Sequence, residues 1–246
     1  MALLLFGSYM VRYPLAGNLN CFLQWLYGFQ ALGHDVYLVE TSTGWDCYEP
    51  DSNTMGNDPS AGLRIVSELL QRFGLNRPIV FRDYQGAYYG MSEESVADLF
   101  RRADCFIDCG NHGAWQDLAE ICPLRILIDQ EPGFNQMRIA NEASEGTYLP
   151  HYHAHYTNGC LIPARHPEVP SCGVSWKTVV NPIALDLFQY AAPPASRRFT
   201  TIMNWQAHKP LRYAGREFGQ KDVEFARFMG LPQRVSAEME VAVAGK

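Results

Sequence analysis

From the start of the chain to Val180, short apolar runs alternate with apolar stripes at helical spacing. Ala2 to Phe6 reads as a buried strand. After a loop from Gly7 to Gly17, the positions Leu19, Phe22, Leu23, Leu26, Phe29 and Leu32 fall on one face of a helix. Asn18 suits its start and Gly33 its end, and Asp35 to Glu40 follows as a second strand. A strand, loop, helix and strand in that order is the repeating unit of an alternating α/β domain.

The alternation continues. Thr41 to Asn57 reads as a long polar loop. Asp58 and Pro59 then open a helix whose buried stripe is Leu63, Val66, Leu69, Leu70 and Phe73, closed by Gly74. Pro78 to Phe81 is a third strand. Ser92 caps the next helix, with Glu93 and Glu94 in its first turn and Arg101 and Arg102 in its last, as the helix dipole favours. Cys105 to Ile107, Ile126 to Ile128 and Trp176 to Val180 read as further strands, with a short helix at Trp115 to Ile121 and an amphipathic stretch from Phe134 to Ala143 between them.

Asn181 and Pro182 mark the end of this unit. Residues 1–182 form a Rossmann-like domain, 183–197 a linker with Pro193 and Pro194, and 198–246 the beginning of a second unit. That second unit holds a strand from Arg198 to Trp205 and a helix from Lys221 to Met229. It is too short for an independent α/β domain of ordinary size, so exposed apolar surface and self-association are expected of it.

Composition sharpens this picture in three ways. Hydrophobic residues make up 47% and charged residues 19% of 246 positions, which excludes a disordered chain. The net charge of -6 and the absence of basic runs argue against a nucleic-acid partner. No segment has the roughly 18 consecutive apolar residues of a membrane span, and MALLLFG is short for a signal peptide, so a cytoplasmic protein is expected. The seven cysteines lack paired metal-ligand spacing and read as reduced and structural.

Candidate chemistry collects where strands end, because ligands of open α/β sheets bind beyond the carboxyl ends of the strands. The stretch RILIDQEPGFNQ, Arg125 to Gln136, is the centre of that pattern: a buried strand opens into Asp129 and Glu131, and Pro132 with Gly133 restricts the turn. His112, between glycines in the exit loop DCGNHG, is a third candidate for proton transfer. Gly17 and Asn18 stand where backbone amides of the first helix face a polar ligand, although the loop lacks the GxGxxG spacing of a dinucleotide site. Without that fingerprint, Glu40 carries little weight as a ribose-binding acid, and a nicotinamide-dependent oxidoreductase is disfavoured. Tyr84, Tyr88 and Tyr89 offer flat surfaces with hydroxyl handles, suited either to sugar or to packing on the domain. His151, His153 and His155 alternate as three imidazoles on one strand face would, a zinc spacing with nothing to anchor it; a polar rim or substrate-facing loop is the stronger reading.

The opening GSYMVRYPLAGNLNCFLQWLYGFQALGHDVYLVE, the strand exit IDQEPGFNQ, the HYTNG segment and the crossover SWKTVVNP followed by FTTIMNW resemble the amino-terminal half of a GT-B glycosyltransferase. The resemblance covers about 200 residues at the level of fold. It implies two facing Rossmann-like domains, the first for the acceptor and the second, incomplete here, for a nucleotide-sugar donor whose remaining motifs lie beyond Lys246. On this basis Glu131 is the first choice of base, ahead of Asp129 and His112. Gly17, Asn18, Tyr84, His155 and Asn158 are acceptor contacts, and Trp205, Lys209, Gln220 and Lys221 are donor contacts. Neither a metal nor a cofactor is called for; the nucleotide sugar is a co-substrate. The alternatives are a carbohydrate- or nucleotide-binding module without catalysis and a sugar-nucleotide epimerase.

Overall fold

The computed structural model describes residues 1–110, 114–147, 152–162, 166, 168–188, 191–193, 198–205, 209–218 and 221–244. In chain order the first part contains β1 (Leu3–Gly7), α1 (Ala16–Ala31), β2 (Asp35–Thr41), β3 (Cys47–Glu49), β4 (Thr54–Gly56), α2 (Ser60–Arg72), β5 (Val80–Arg82), β6 (Tyr88–Tyr89) and α3 (Glu93–Arg102). It continues through β7 (Cys105–Cys109), α4 (Gln116–Ala119), β8 (Arg125–Asp129), α5 (Phe134–Ser144), β9 (Ala154–Thr157) and β10 (Trp176–Thr178). The second part has β11 (Phe199–Asn204), β12 (Leu211–Tyr213), β13 (Arg216–Phe218), α6 (Lys221–Phe225) and β14 (Met239–Ala244).

Eight strands form one sheet in the order β10-β9-β8-β7-β1-β2-β5-β6. Every pairing from β10 to β5 is parallel, and β6 returns antiparallel at the edge. The chain winds outward from β1 through β2 to β5, then crosses back to β7 and winds the other way to β10. This is the doubly wound, Rossmann-like α/β arrangement, with its switch point between β1 and β7.

Each face of the sheet has its own core. Phe22, Leu23 and Leu26 of α1 and Val66 and Leu70 of α2 cover Leu4, Phe6, Val36, Leu38, Phe81 and Ile107. Val96, Leu99 and Phe100 of α3 and Ala119 of α4 cover Leu5, Val39, Val80 and Phe106 on the other face. The side-chain alternation of the strands distributes apolar residues to both faces, as a parallel sheet covered by helices requires.

Several expected boundaries shift for identifiable reasons. α1 begins at Ala16 rather than at Asn18, because Leu15 ends the preceding loop in an extended conformation and Asn18 lies in the first turn, its side chain donating to Tyr13 O at 3.3 Å. Ser92 does cap α3, accepting the Ser95 amide. The loop from Thr41 to Asn57 contains the small hairpin β3–β4, whose three-residue strands carry too few apolar positions to reveal their period.

In the second part β11 and β14 form a parallel pair separate from the large sheet, and β12 with β13 forms a hairpin. Asn141 of α5 donates to Arg212 O at 2.8 Å, joining the hairpin to the first domain. Phe199 and Ile202 of β11 are 67% and 85% exposed, so the apolar surface expected after residue 198 is present. Among the described residues no helix is long and apolar enough to cross a membrane. All seven cysteines are free thiols.

One close approach fixes how the loop after β1 sits. A Cβ at Gly62 in the first turns of α2 would lie 1.9 Å from Val11 O, so only glycine lets that backbone pass. Gly62→Ala is therefore expected to lower the unfolding free energy by about 2 kcal/mol, as overpacking against backbone does, measured by urea unfolding. An unchanged midpoint would contradict the contact.

Candidate functional site

The carboxyl ends of the central strands are organised by buried carboxylates. Asp129, the last residue of β8, has no solvent exposure. Its Oδ1 accepts from the Glu131 amide at 2.9 Å and Asn135 Nδ2 at 2.6 Å, and its Oδ2 accepts from Gln136 Nε2 at 2.8 Å and Thr157 Oγ1 at 2.6 Å. Four donors satisfy an ionised carboxylate, which has acceptor sites only. The result is a rigid corner: the turn after β8, the start of α5 and the end of β9 are tied to one side chain. Gly133 completes it with a positive φ of 85°, its amide donating to Gln136 Oε1 at 2.6 Å.

Glu40 does the equivalent at the end of β2. It is fully buried and accepts from the Val11 and Arg12 amides at 2.8 Å each and from Arg12 Nε at 3.2 Å. Arg12 reaches on to Asp46 at 2.9 Å, and Asp46 also accepts from Ser42 Oγ. The acid therefore clamps the loop between β1 and α1; its donors come from the protein, not from a ribose. Burial pushes its carboxyl up to about 7 against the pull of Arg12 and the two amides.

These clamps leave a polar cluster at the switch point. Tyr9 follows β1, and its ring lies 2.9 Å from where a Cβ on Gly110 would stand; Gly110 follows β7 with φ of 78°. Gln130 is the hub beside them. Its Oε1 accepts from Asn158 Nδ2 at 2.9 Å and Asn181 Nδ2 at 3.1 Å, and its Nε2 donates to Asn181 Oδ1 at 3.1 Å and to Cys109 Sγ at 3.2 Å. Trp25 of α1 donates to the same Asn181 oxygen at 3.2 Å. Burial, then the charge of Glu131, raise the Tyr9 phenol well above its usual range. Glu131 itself is exposed, and Pro132 packs on Gly159, where a Cβ would stand 2.7 Å from Pro132 Cβ.

Of the residues expected to meet here, Glu131 and Asn158 do, and Gly17 and Asn18 lie in the first turn of α1, which follows the Tyr9 loop. Asp129 takes a structural position: enclosed and with four donors, it holds the site and does not face a ligand. Tyr84 is displaced, because it follows β5, four strand steps from β8 and thus about 19 Å along the sheet. It packs its ring at Gly44 and accepts from Gln85 Nε2 at 3.0 Å. His155 is buried inside β9, in edge-on contact with Tyr152 and Trp176, and burial lowers its pKa. It takes a core position, with its Nε2 buried and without a hydrogen-bond partner among the described residues. His153 is exposed, with Nδ1 accepting the Arg125 amide at 3.1 Å. His112, His151 and Gln220 lie outside the described residues. Lys209 and Lys221 are exposed in the second part, and Trp205 meets Phe225 edge-on at 6.1 Å.

Tyr9, Gln130 and Asn181 complete the cluster without having been singled out. The signal that finds them is position: each lies one or a few residues past a strand end, the same argument that selects Glu131. Comparison of the chain with protein-family models and with curated proteins finds no match.

Two outcomes follow from the clamps. In Asp129→Asn the amide nitrogen faces donors in place of an oxygen, so a loss of about 3 kcal/mol in urea unfolding is expected; a loss below 1 kcal/mol would contradict the corner. For Glu40 the folded value of about 7 lies above the ~4.3 of an unfolded glutamate. The stability it contributes is thus fully present below about pH 4 and lost as pH rises through about 7. Glu40→Gln is expected to remove that slope from a stability profile between those values while lowering stability by a constant amount; parallel profiles would contradict the assignment.

Proposed function

We propose that the switch-point cluster binds the acceptor of a glycosyl transfer, that Glu131 takes the proton from the acceptor hydroxyl, and that the chain is of the GT-B type. The observation that carries the reading is one exposed carboxylate on a turn locked by Asp129, directly after Gln130, whose side-chain amide joins those of Asn158 and Asn181. Amides and phenols both donate to and accept from hydroxyl groups, the recognition a sugar needs. A base must lie within hydrogen-bond reach of the hydroxyl it deprotonates, and a rigid turn keeps Glu131 in place without reorganisation at the moment of reaction.

On this reading the donor is a nucleotide sugar held by the unit that begins at residue 198, with Trp205, Lys209, Gln220 and Lys221 as its contacts. A lysine there offsets the charge developing on the departing diphosphate. The exposed parallel pair β11–β14 supports treating this unit as part of a larger donor domain, since parallel strands are ordinarily covered on both faces. It equally favours a second reading, a sugar-binding module without turnover.

The two readings separate on Glu131→Gln. With product formation from a nucleotide-sugar panel followed by mass spectrometry, the variant is expected to bind acceptor within about threefold of the native chain and to lose about 10²–10⁴ in transfer rate. Unchanged transfer removes Glu131 as base. Acceptor binding by the native chain with no transfer from any donor selects the non-catalytic module.

A further inference from the structure

We propose that the hairpin β3–β4, with the loop after β5, is a docking surface for an arginine-bearing peptide segment of a protein partner. Trp45 is 72% exposed, an unusual position for so large an aromatic side chain, and Tyr84 and Met55 are 45% and 41% exposed. The three are joined. Gly44 lies on the Tyr84 ring, where a Cβ would stand 3.4 Å away, and the Trp45 amide donates to Asn57 Oδ1, two residues past Met55. The turn that carries the indole is held by its own hydrogen bonds. Asp46 accepts from the Thr43 amide at 3.1 Å and from Ser42 Oγ, the Gly44 amide donates to Ser42 Oγ at 3.1 Å, and Arg12 reaches Asp46 at 2.9 Å from the loop after β1. An aromatic side chain set outward on a turn fixed in this way gives up little freedom when a partner covers it, and Trp, Tyr and Arg dominate the energetics of protein interfaces.

Charge decides which partner fits. Residues 41–60 carry Asp46, Glu49, Asp51 and Asp58 and no Lys, Arg or His, and residues 83–91 add Asp83 without a cation. Asp58 follows Asn57 and Asp83 precedes Tyr84, so each residue that meets the Trp45 turn has a carboxylate as its chain neighbour. The hydrogen bonds that Asp58 receives from Ser60, and Asp83 from Gln85, Ala87 and Tyr89, come from neutral donors and leave the charge in place. The adjoining cations are committed inward: Arg12 to Glu40 and Asp46, and Arg82 to Asp117 at 2.5 and 3.0 Å, with its guanidinium 4.5 Å from the ring centre of buried Trp115. Phosphate backbones and anionic lipid surfaces are repelled by such a surface. A second copy, in a two-fold contact, would set the same carboxylates against themselves, and a neutral glycan would leave them unused. Arginine serves both halves of the surface, because its planar guanidinium stacks on an indole and forks a carboxylate.

Fluorescence anisotropy of the full chain with a fluorescein-labelled peptide of alternating arginine and proline, and with its lysine and glutamate counterparts, tests this. The arginine peptide is expected to bind at least about tenfold more tightly than the glutamate peptide and more tightly than the lysine peptide, with an affinity that falls as salt rises. Trp45→Ala, with its fold checked by urea unfolding, is expected to weaken binding about tenfold. Asp58→Asn with Asp83→Asn, which keep an oxygen for the Ser60, Gln85 and Ala87 amides, should flatten the salt dependence. In NMR spectra of the native chain, unlabelled arginine peptide should shift the Trp45 indole signal and the Tyr84 amide, which locates the site without any variant. No binding of the arginine peptide, equal binding of the glutamate peptide, unchanged binding by folded Trp45→Ala, or shifts that spare Trp45 overturn the inference. So does self-association that Trp45→Ala abolishes, which assigns the surface to a second copy, or a neutral disaccharide that shifts the Trp45 indole, which assigns it to a glycan.

Discussion

A carboxylate buried without exposure at the end of β8 is the constraint on which the site depends. Asp129 spends its oxygens on Glu131, Asn135, Gln136 and Thr157, and so fixes in one place the turn that presents Glu131, the first turn of α5 and the strand that leads to Asn158. Removing an ionised side chain from water is expensive, and only complete satisfaction by donors makes it tolerable. The same device recurs on neighbouring strands. Glu40 ends β2 and holds the loop after β1, while Asp108, near the end of β7, receives the Tyr152 hydroxyl at 2.5 Å. The carboxyl edge of the sheet is thus stiffened from within by acids that a ligand does not reach.

This arrangement changes what a doubly wound sheet can do. In the dinucleotide-binding version of the fold, the turn after the first strand and the acid after the second are left open for a cofactor. Here the two are bound to each other, with Gly62 letting α2 press against the same loop. Among the described residues, Tyr9, Gln130, Glu131, Asn158 and Asn181 follow strand ends around the switch point, a set of dipoles with one carboxylate. Amides and a phenol donate to and accept from hydroxyl groups, and the proposed acceptor role rests on that.

Much of the fold was legible because its signals are local. The stripes of α1, α2 and α3 are set by burial against one face, and the strands from β1 to β8 are apolar runs that only a covered parallel sheet explains. Glu131 was legible because strand exits are where ligands bind. What the sequence withheld is set by strand order. Tyr84 and Glu131 both follow strands, and nothing local to either says that β2, β1 and β7 stand between them. His155 and Asn158 are three positions apart, yet one points into an aromatic core and the other joins the amide cluster. Glu40 resembled a ligand-binding acid in position, but its partners, Val11 and Arg12, come from a loop almost 30 residues earlier.

The central claim, that the acceptor is met at the switch point and not elsewhere, is tested most directly by mapping amide shifts across the assigned NMR spectrum as a bound neutral glycoside is added. The account predicts that the largest changes fall on Tyr9, Gly110, Gln130, Glu131 and Asn158, with β5 and the residues around Tyr84 undisturbed. Changes confined to residues 198–244, or centred on Tyr84, would contradict it.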